Sequence, residues 1–203
     1  MRAVGTWYST GTLKDREAGV LLRHFLIVAW LLTATVPAIA EDPRKTLENF
    51  YDTCLANGPS FDRTKAEAVL FKWKPLPPEA LAMLAPQQAP DRFEGWVVAS
   101  KGTENTIVAV TEGPLDGRPV VTCTMAAVGV NGKDVEKLFL ERLAPRKTGE
   151  QSNGMQEIRF CRLTTGVQLA EQLVIVSMVA PVNDKPVVMM SSMIDAPKGR
   201  RAD

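Results

Sequence analysis

The sequence predicts an α+β domain: N-terminal helices, an antiparallel three-stranded meander, one helix and a second three-stranded meander, with the helices mainly on one sheet face. Three observations point there. Apolar residues recur at helical spacing before residue 85 and again between 134 and 145. β-branched runs fill two separate stretches. Most connections between those runs are too short for parallel crossovers, so antiparallel pairing is expected.

The first helix opens at Pro43 with Asp42 as its cap, carries Leu47, Phe50, Tyr51, Cys54 and Leu55 on one stripe, and closes at Gly58. A second stripe of Ala66, Val69, Leu70 and Trp73 follows a cap at Asp62 and stops at Pro75. Pro77-Pro78-Glu79 starts a short helix through Ala85, and 86–90 reads as a loop. Phe93 to Ser100, Thr106 to Glu112 and Val120 to Val128 form the first meander, separated by turn compositions. A helix capped by Asp134 carries Val135, Leu138, Phe139 and Leu143 and ends at Pro145. Gln156 to Leu163, Leu173 to Ala180 and Val187 to Ile194 form the second meander. In the first of these strands Ile158 and Phe160 alternate with Glu157 and Arg159, the mark of a half-buried strand.

The domain is expected to span 41–194, behind an export signal over 1–40. An apolar run from Phe25 to Leu32 follows Arg23, and Ala38-Ile39-Ala40 precedes charged Glu41-Asp42, so cleavage is expected after Ala40 and the product is expected in the periplasm or outside the cell. The run from Phe25 to Ala40 falls short of the ~20 apolar residues a spanning helix needs, which argues against an uncleaved anchor and for no membrane association after cleavage. Residues 1–19 carry both charge signs without periodicity, unlike the start of a signal, and are read as a misassigned translation start. Residues 195–203 read as a disordered tail, since Ala196-Pro197-Lys198-Gly199 breaks structure and nothing apolar follows.

Beyond residue 40 there are 20 basic against 21 acidic residues, with signs interspersed, so no field favours nucleic acid. The 163 residues there are enough for one core that buries about two thirds of the unfolded surface.

The chain's one histidine, His24, lies in the expected leader. Ser-His-Asp and Cys-His hydrolysis therefore lack a base, and the common zinc sites lack a ligand. No phosphate-cradling glycine loop, dinucleotide fingerprint or Cys-x-x-Cys pair occurs, so neither a catalytic residue nor a cofactor is assigned. The leading expectation is a non-enzymatic binding or interaction module. Alternatives are a hydrolase using carboxylates or lysine, and a Cu(I)-handling protein in which Met178, Met189 and Met193 supply thioethers. Copper requires Ala180 to pair with Val187, which would stand Met178 beside Met189 on one face. The hairpin over 173–194 is apolar on both faces, so both must be covered: a central position in the sheet is expected, with a protein partner or self-association through this hairpin as the alternative.

Phe50-Tyr51-x-x-Cys54-Leu55 on the first helix, with Val121-Thr122-Cys123 on a middle strand, resembles small uncharacterised exported proteins of bacteria over about half of the chain beyond residue 40. The resemblance implies no activity, cofactor or catalytic residue. Separately, the phase of each cysteine predicts a Cys54–Cys123 disulfide with Cys161 unpaired. Cys54 shares the first helix's apolar stripe and Cys123 alternates with Val121 and Met125, whereas Cys161 alternates with Arg159 and Glu157. Three unpaired thiols, or a Cys123–Cys161 bridge across the sheet, are the alternatives.

Overall fold

The computed structural model describes residues 42–84, 90–98, 106–154, 156–165, 171–182 and 184–196; the expected leader and residues 197–203 lie outside them. Asp42 caps helix α1 (Pro43–Phe50) by accepting a hydrogen bond from the Arg44 N–H at 2.9 Å, and Pro43 takes the first helical position, where no N–H is needed. The helix continues as a π-turn (Tyr51–Leu55), closed by the Ala56 N–H on the Tyr51 carbonyl. Leu47, Phe50, Cys54 and Leu55 are buried and Tyr51 is half-buried, so the stripe points inward.

Helix α2 (Phe61–Leu70) departs from expectation twice. Its cap is Ser60, two residues before Asp62, and its buried residues are Phe61, Thr64 and Ala68. Ala66, Val69 and Leu70 are exposed and Trp73 only half-buried. Phe61 and Ala68 fit against Trp96, Val110 and Val121, and that contact orients the helix with the more apolar stripe outward. Helix α3 (Pro78–Leu84) follows, and helix α4 (Gly132–Leu143) is capped by Asn131, which accepts from the Lys133 N–H at 3.0 Å, in place of Asp134.

Two separate three-stranded meanders are not what forms. Among the described residues a single eight-stranded antiparallel sheet runs in the order β1-β2-β3-β4-β8-β7-β6-β5 and dominates the fold, with a few short helices. Its strands are β1 (Lys74–Pro75), β2 (Arg92–Val97), β3 (Thr106–Leu115), β4 (Arg118–Val128), β5 (Arg146–Ser152), β6 (Gln156–Thr164), β7 (Glu171–Val182) and β8 (Lys185–Asp195). The last strand folds back to pair with β4 from Val120↔Asp195 to Val128↔Val187, which fuses the two halves. The strands missed in the sequence are the two edges. β1 is two exposed residues ending in proline, and β5 is a polar strand with a register shift between Lys147 and Gly149; polar, broken edges resist pairing with other chains. β8 reaches Asp195, and the Ala196 N–H donates to the Pro119 carbonyl, so the start of the expected tail is tied to the sheet.

On one face of the sheet, α1, the π-turn and α4 cover Val108, Cys123, Met125, Val174, Val176, Val188 and Met190, with Phe139 of α4 buried among them. α2 extends the same face over Val110 and Val121. α3 lies on the other face, over Ile107 and partly buried Val97 and Ala126, and Leu76 and Leu81 press so close to Gly95 that a Cβ there would stand 2.9 Å from the Leu76 Cδ1.

Strand β6 is reversed relative to the sequence reading. Arg159 pairs in register with buried Val176, and Cys161 with buried Val174, so the charged row faces the helices, while Ile158 and Phe160 face away. The reason is α4: its Glu136 binds the Arg159 Nε at 2.6 Å and its Lys133 lies 3.9 Å from Glu157. Charges beneath an amphipathic helix are acceptable when that helix brings their partners.

Candidate functional site

Cys54 and Cys123 form a disulfide with Cα atoms 5.4 Å apart, linking the π-turn to β4 across 69 residues. Both are fully buried. Beside the bridge, Gln172 is 1 % exposed and uses both ends of its amide. Its Nε2 donates to the Leu55 carbonyl at 2.9 Å and to Thr165 Oγ1 at 2.7 Å, and its Oε1 accepts from Ser192 Oγ at 2.6 Å. Thr165 Oγ1 also donates to the Leu55 carbonyl, at 2.8 Å. A helix end buried against a sheet leaves carbonyls without water, and this cluster supplies one of them with two donors. Ser192 sits opposite Cys123 in the β4–β8 register, so the disulfide and the polar cluster hold the same turn from both sides.

Cys161 is unpaired, but not for the reason its phase suggested. It is 1 % exposed and lies on the helix-covered face, in the same cross-strand row as Cys123, Ser192 and Val174. Two strands separate it from Cys123, about 14 Å at the usual strand spacing, beyond disulfide reach. Burial, and then the Glu136 carboxylate, push its thiol up, so it stays protonated and is a poor nucleophile at neutral pH.

The methionines divide between the two faces. Val179, not Ala180, pairs with Val187, because a bulge between Val179 and Val182 shifts the register by one residue. A one-residue shift turns every side chain over. Met178 therefore pairs with Val188 on the helix-covered face, where it packs beneath Gly132, its Cγ 2.6 Å from where a Cβ would stand. Met189 and Met193 lie on the opposite face, opposite Ser177 and Leu173. The three thioethers are not brought together. Among the described residues there is also no group of three His, Cys, Asp or Glu side chains placed to hold a metal.

The acidic side chains in the recess beside Cys161 are engaged. Glu136 binds Arg159, and Glu141 faces Lys137 at 3.9 Å, the helix-surface pair expected from their spacing. At the β5 edge, the hydrogen bond from Lys147 and the charge of Arg159 hold Glu150 below the usual carboxylate range. Hydrogen bonds from Arg146 and Arg162 do the same for Glu171. Ion-paired carboxylates of this kind are held ionised, which is the opposite of what a general acid needs.

Among the described residues, no helix packs on the second face of the sheet over β6, β7 and β8. Six half-buried apolar side chains gather there: Ile158 and Phe160, Leu173 and Ile175, Met189 and Met193. Between them stand Ser191 and Thr124, whose hydroxyls are 2.8 Å apart. None of the six belongs to a buried core cluster, and α3 packs at the far end of this face, over β2 and β3. Alternation in β6 was visible in the sequence, but the alternation alone does not say which side the helices take. No helix among the described residues is long and apolar enough to cross a membrane. No protein-family model, curated protein or solved structure matches the chain.

Proposed function

We propose that the chain is an exported, non-enzymatic interaction domain whose open sheet face, centred on the hairpin over 173–194, packs against a second copy of itself. The six apolar side chains on that face carry the reading. A sheet surface with apolar rows interrupted by Ser and Thr matches the inner face of a β-sandwich, in which two sheets interdigitate about 10 Å apart. A two-fold pair of identical faces meets the need with one surface. Near-balanced charge beyond residue 40 leaves little repulsion between copies. The Cys54–Cys123 bridge supports work in an oxidising compartment, since such bonds persist there and are rare in the cytosol.

Light scattering on the chain from Glu41 onward, which holds every element described above, tests the reading. The expected result is a concentration-dependent dimer that Ile175→Glu with Met189→Glu converts to a monomer without loss of secondary structure. A chain that stays monomeric at all concentrations, or a dimer indifferent to those substitutions, sinks it; capture of a different protein on the same face would replace the second copy as occupant.

A further inference from the structure

The C-terminal end of α2 is the most apolar exposed stretch among the described residues. Val69, Leu70 and Phe71 are consecutive and 73 %, 72 % and 59 % exposed. Lys72, half-buried Trp73 and Lys74 follow, and the Phe71 and Trp73 rings stack with centroids 6.2 Å apart. Trp73 is partly packed against the core, but Val69, Leu70 and Phe71 are left outside it, because Phe61, Thr64 and Ala68 already anchor the opposite stripe. An apolar cluster that the core leaves outside is where local sequence and global fold conflict, and such conflicts gather at functional surfaces.

Backbone geometry holds the cluster in place. The Trp73 N–H donates to the Ala68 carbonyl at 2.9 Å and the Lys72 N–H to the Val69 carbonyl at 3.2 Å, the paired closure of a Schellman ending. Lys72 occupies the left-handed position of that ending with φ 54°, where glycine is unstrained. A lysine stands there against its backbone preference. Charge is arranged in the same sense. The acidic side chains of α2 are neutralised, Asp62 by Arg92 at 2.7 Å and Glu67 facing Arg63 at 3.7 Å, while among the described residues no carboxylate pairs with Lys72 or Lys74.

We propose that this end of α2 is a shallow anchor for an anionic lipid surface, a site independent of the open sheet face. Val69, Leu70 and Phe71 would enter the acyl boundary, Trp73 would take the headgroup level where its amphipathic ring is favoured, and Lys72 and Lys74 would meet lipid phosphates. The cluster stands exposed at the end of a helix. A deformable bilayer accepts an exposed apolar cluster without a matching groove, whereas a protein partner would need one. The proposal departs from the expectation that the exported chain leaves the membrane behind.

The chain from Glu41 onward is mixed with vesicles of phosphatidylcholine alone or with phosphatidylglycerol. This form retains two tryptophans, of which Trp96 is buried in the core, so Trp73 reports the environment of the patch. Co-sedimentation with the phosphatidylglycerol vesicles and a blue shift of tryptophan emission are expected, both weakened by salt. Leu70→Glu with Phe71→Glu should lower partitioning by at least about tenfold with an unchanged far-ultraviolet spectrum, since both positions are exposed. Lys72→Gln with Lys74→Gln should lower it several-fold and remove most of its salt dependence. Absence of co-sedimentation, binding unaffected by the glutamates, equal binding to neutral vesicles, or a protein complex formed through this patch in place of lipid binding would each overturn the proposal.

Discussion

Helices α1 and α2 are neighbours in sequence and similar in length, and spacing predicts an apolar stripe on each, yet α1 turns that stripe to the sheet and α2 turns most of its own away. α1 has three ties that decide its orientation: Phe50 and Leu47 in the core, Cys54 bonded to Cys123, and the Leu55 carbonyl held by Gln172 and Thr165. α2 is oriented by Phe61 and Ala68, with Arg92 lying 3.7 Å over the Phe61 ring and bonded to Asp62. Phe61 at the start of the helix and Ala68 near its end decide the orientation over Val69 and Leu70 because they meet a partner surface on the sheet. Strand β6 repeats the lesson, since its charged row is drawn inward by Glu136 and Lys133 of α4. Hydrophobicity sets which stripes exist; complementarity with the next element sets which stripe is buried.

The comparison is broken most strongly by removing what is peculiar to α1. Replacing Cys54 and Cys123 together by Ala is expected to lower stability by up to about 4 kcal/mol, the chain-entropy value for a loop of this length, with most of the loosening in α1 and the π-turn. Urea unfolding beside the oxidised parent measures it, and an unchanged midpoint would show that packing alone holds the helix. Gln172→Leu comes next. It strips a donor from the Leu55 carbonyl and leaves Ser192 Oγ without its acceptor, at an expected cost of about 1–3 kcal/mol. Amide exchange should rise first around Leu55.

How far this arrangement was legible follows from the same contrast. The Asp42 cap, the α1 stripe and the inward phase of Cys54 and Cys123 are local properties, and the structure carries them as read. The orientation of α2 and of β6 was not legible, because periodicity marks two faces without saying which one a distant element will cover. A bulge between Val179 and Val182 reversed the methionine pairing, and a bulge leaves little trace in an apolar run such as this one. Strands β1 and β5 lack apolar alternation altogether, so their existence depends on the neighbour that recruits them. Gln172 was missed as well. A lone amide in an apolar strand is a signal for a buried polar cluster, but its partners come from three other segments.

Smaller effects sharpen the comparison on the α2 side. Lys72→Gly relieves a left-handed lysine and should raise stability by about 1 kcal/mol at most, seen as a later urea midpoint, while weakening binding to anionic vesicles. Acidification should have the smallest effect and spare both helices. Glu150 and Glu171 lie below the ordinary carboxylate value in the folded protein, so their contribution is present above the unfolded value and is lost as pH falls through the folded one. Protection factors in β5, compared between neutral pH and about pH 3, should drop there before they drop in α1; loss in α1 first would assign the acid sensitivity elsewhere.

The central claim, that the α1 stripe is structural and the α2 stripe is surface, has a direct test in one matched pair. Leu47→Gln and Leu70→Gln make the same change of volume and polarity on two helices, and equilibrium urea unfolding reads both. Leu47→Gln is predicted to cost about 3 kcal/mol or more, because a buried amide would have no partner, whereas Leu70→Gln should stay within about 0.5 kcal/mol of the parent. Comparable losses in the two variants would contradict the account, since α2 would then be packing the stripe that the structure places in solvent.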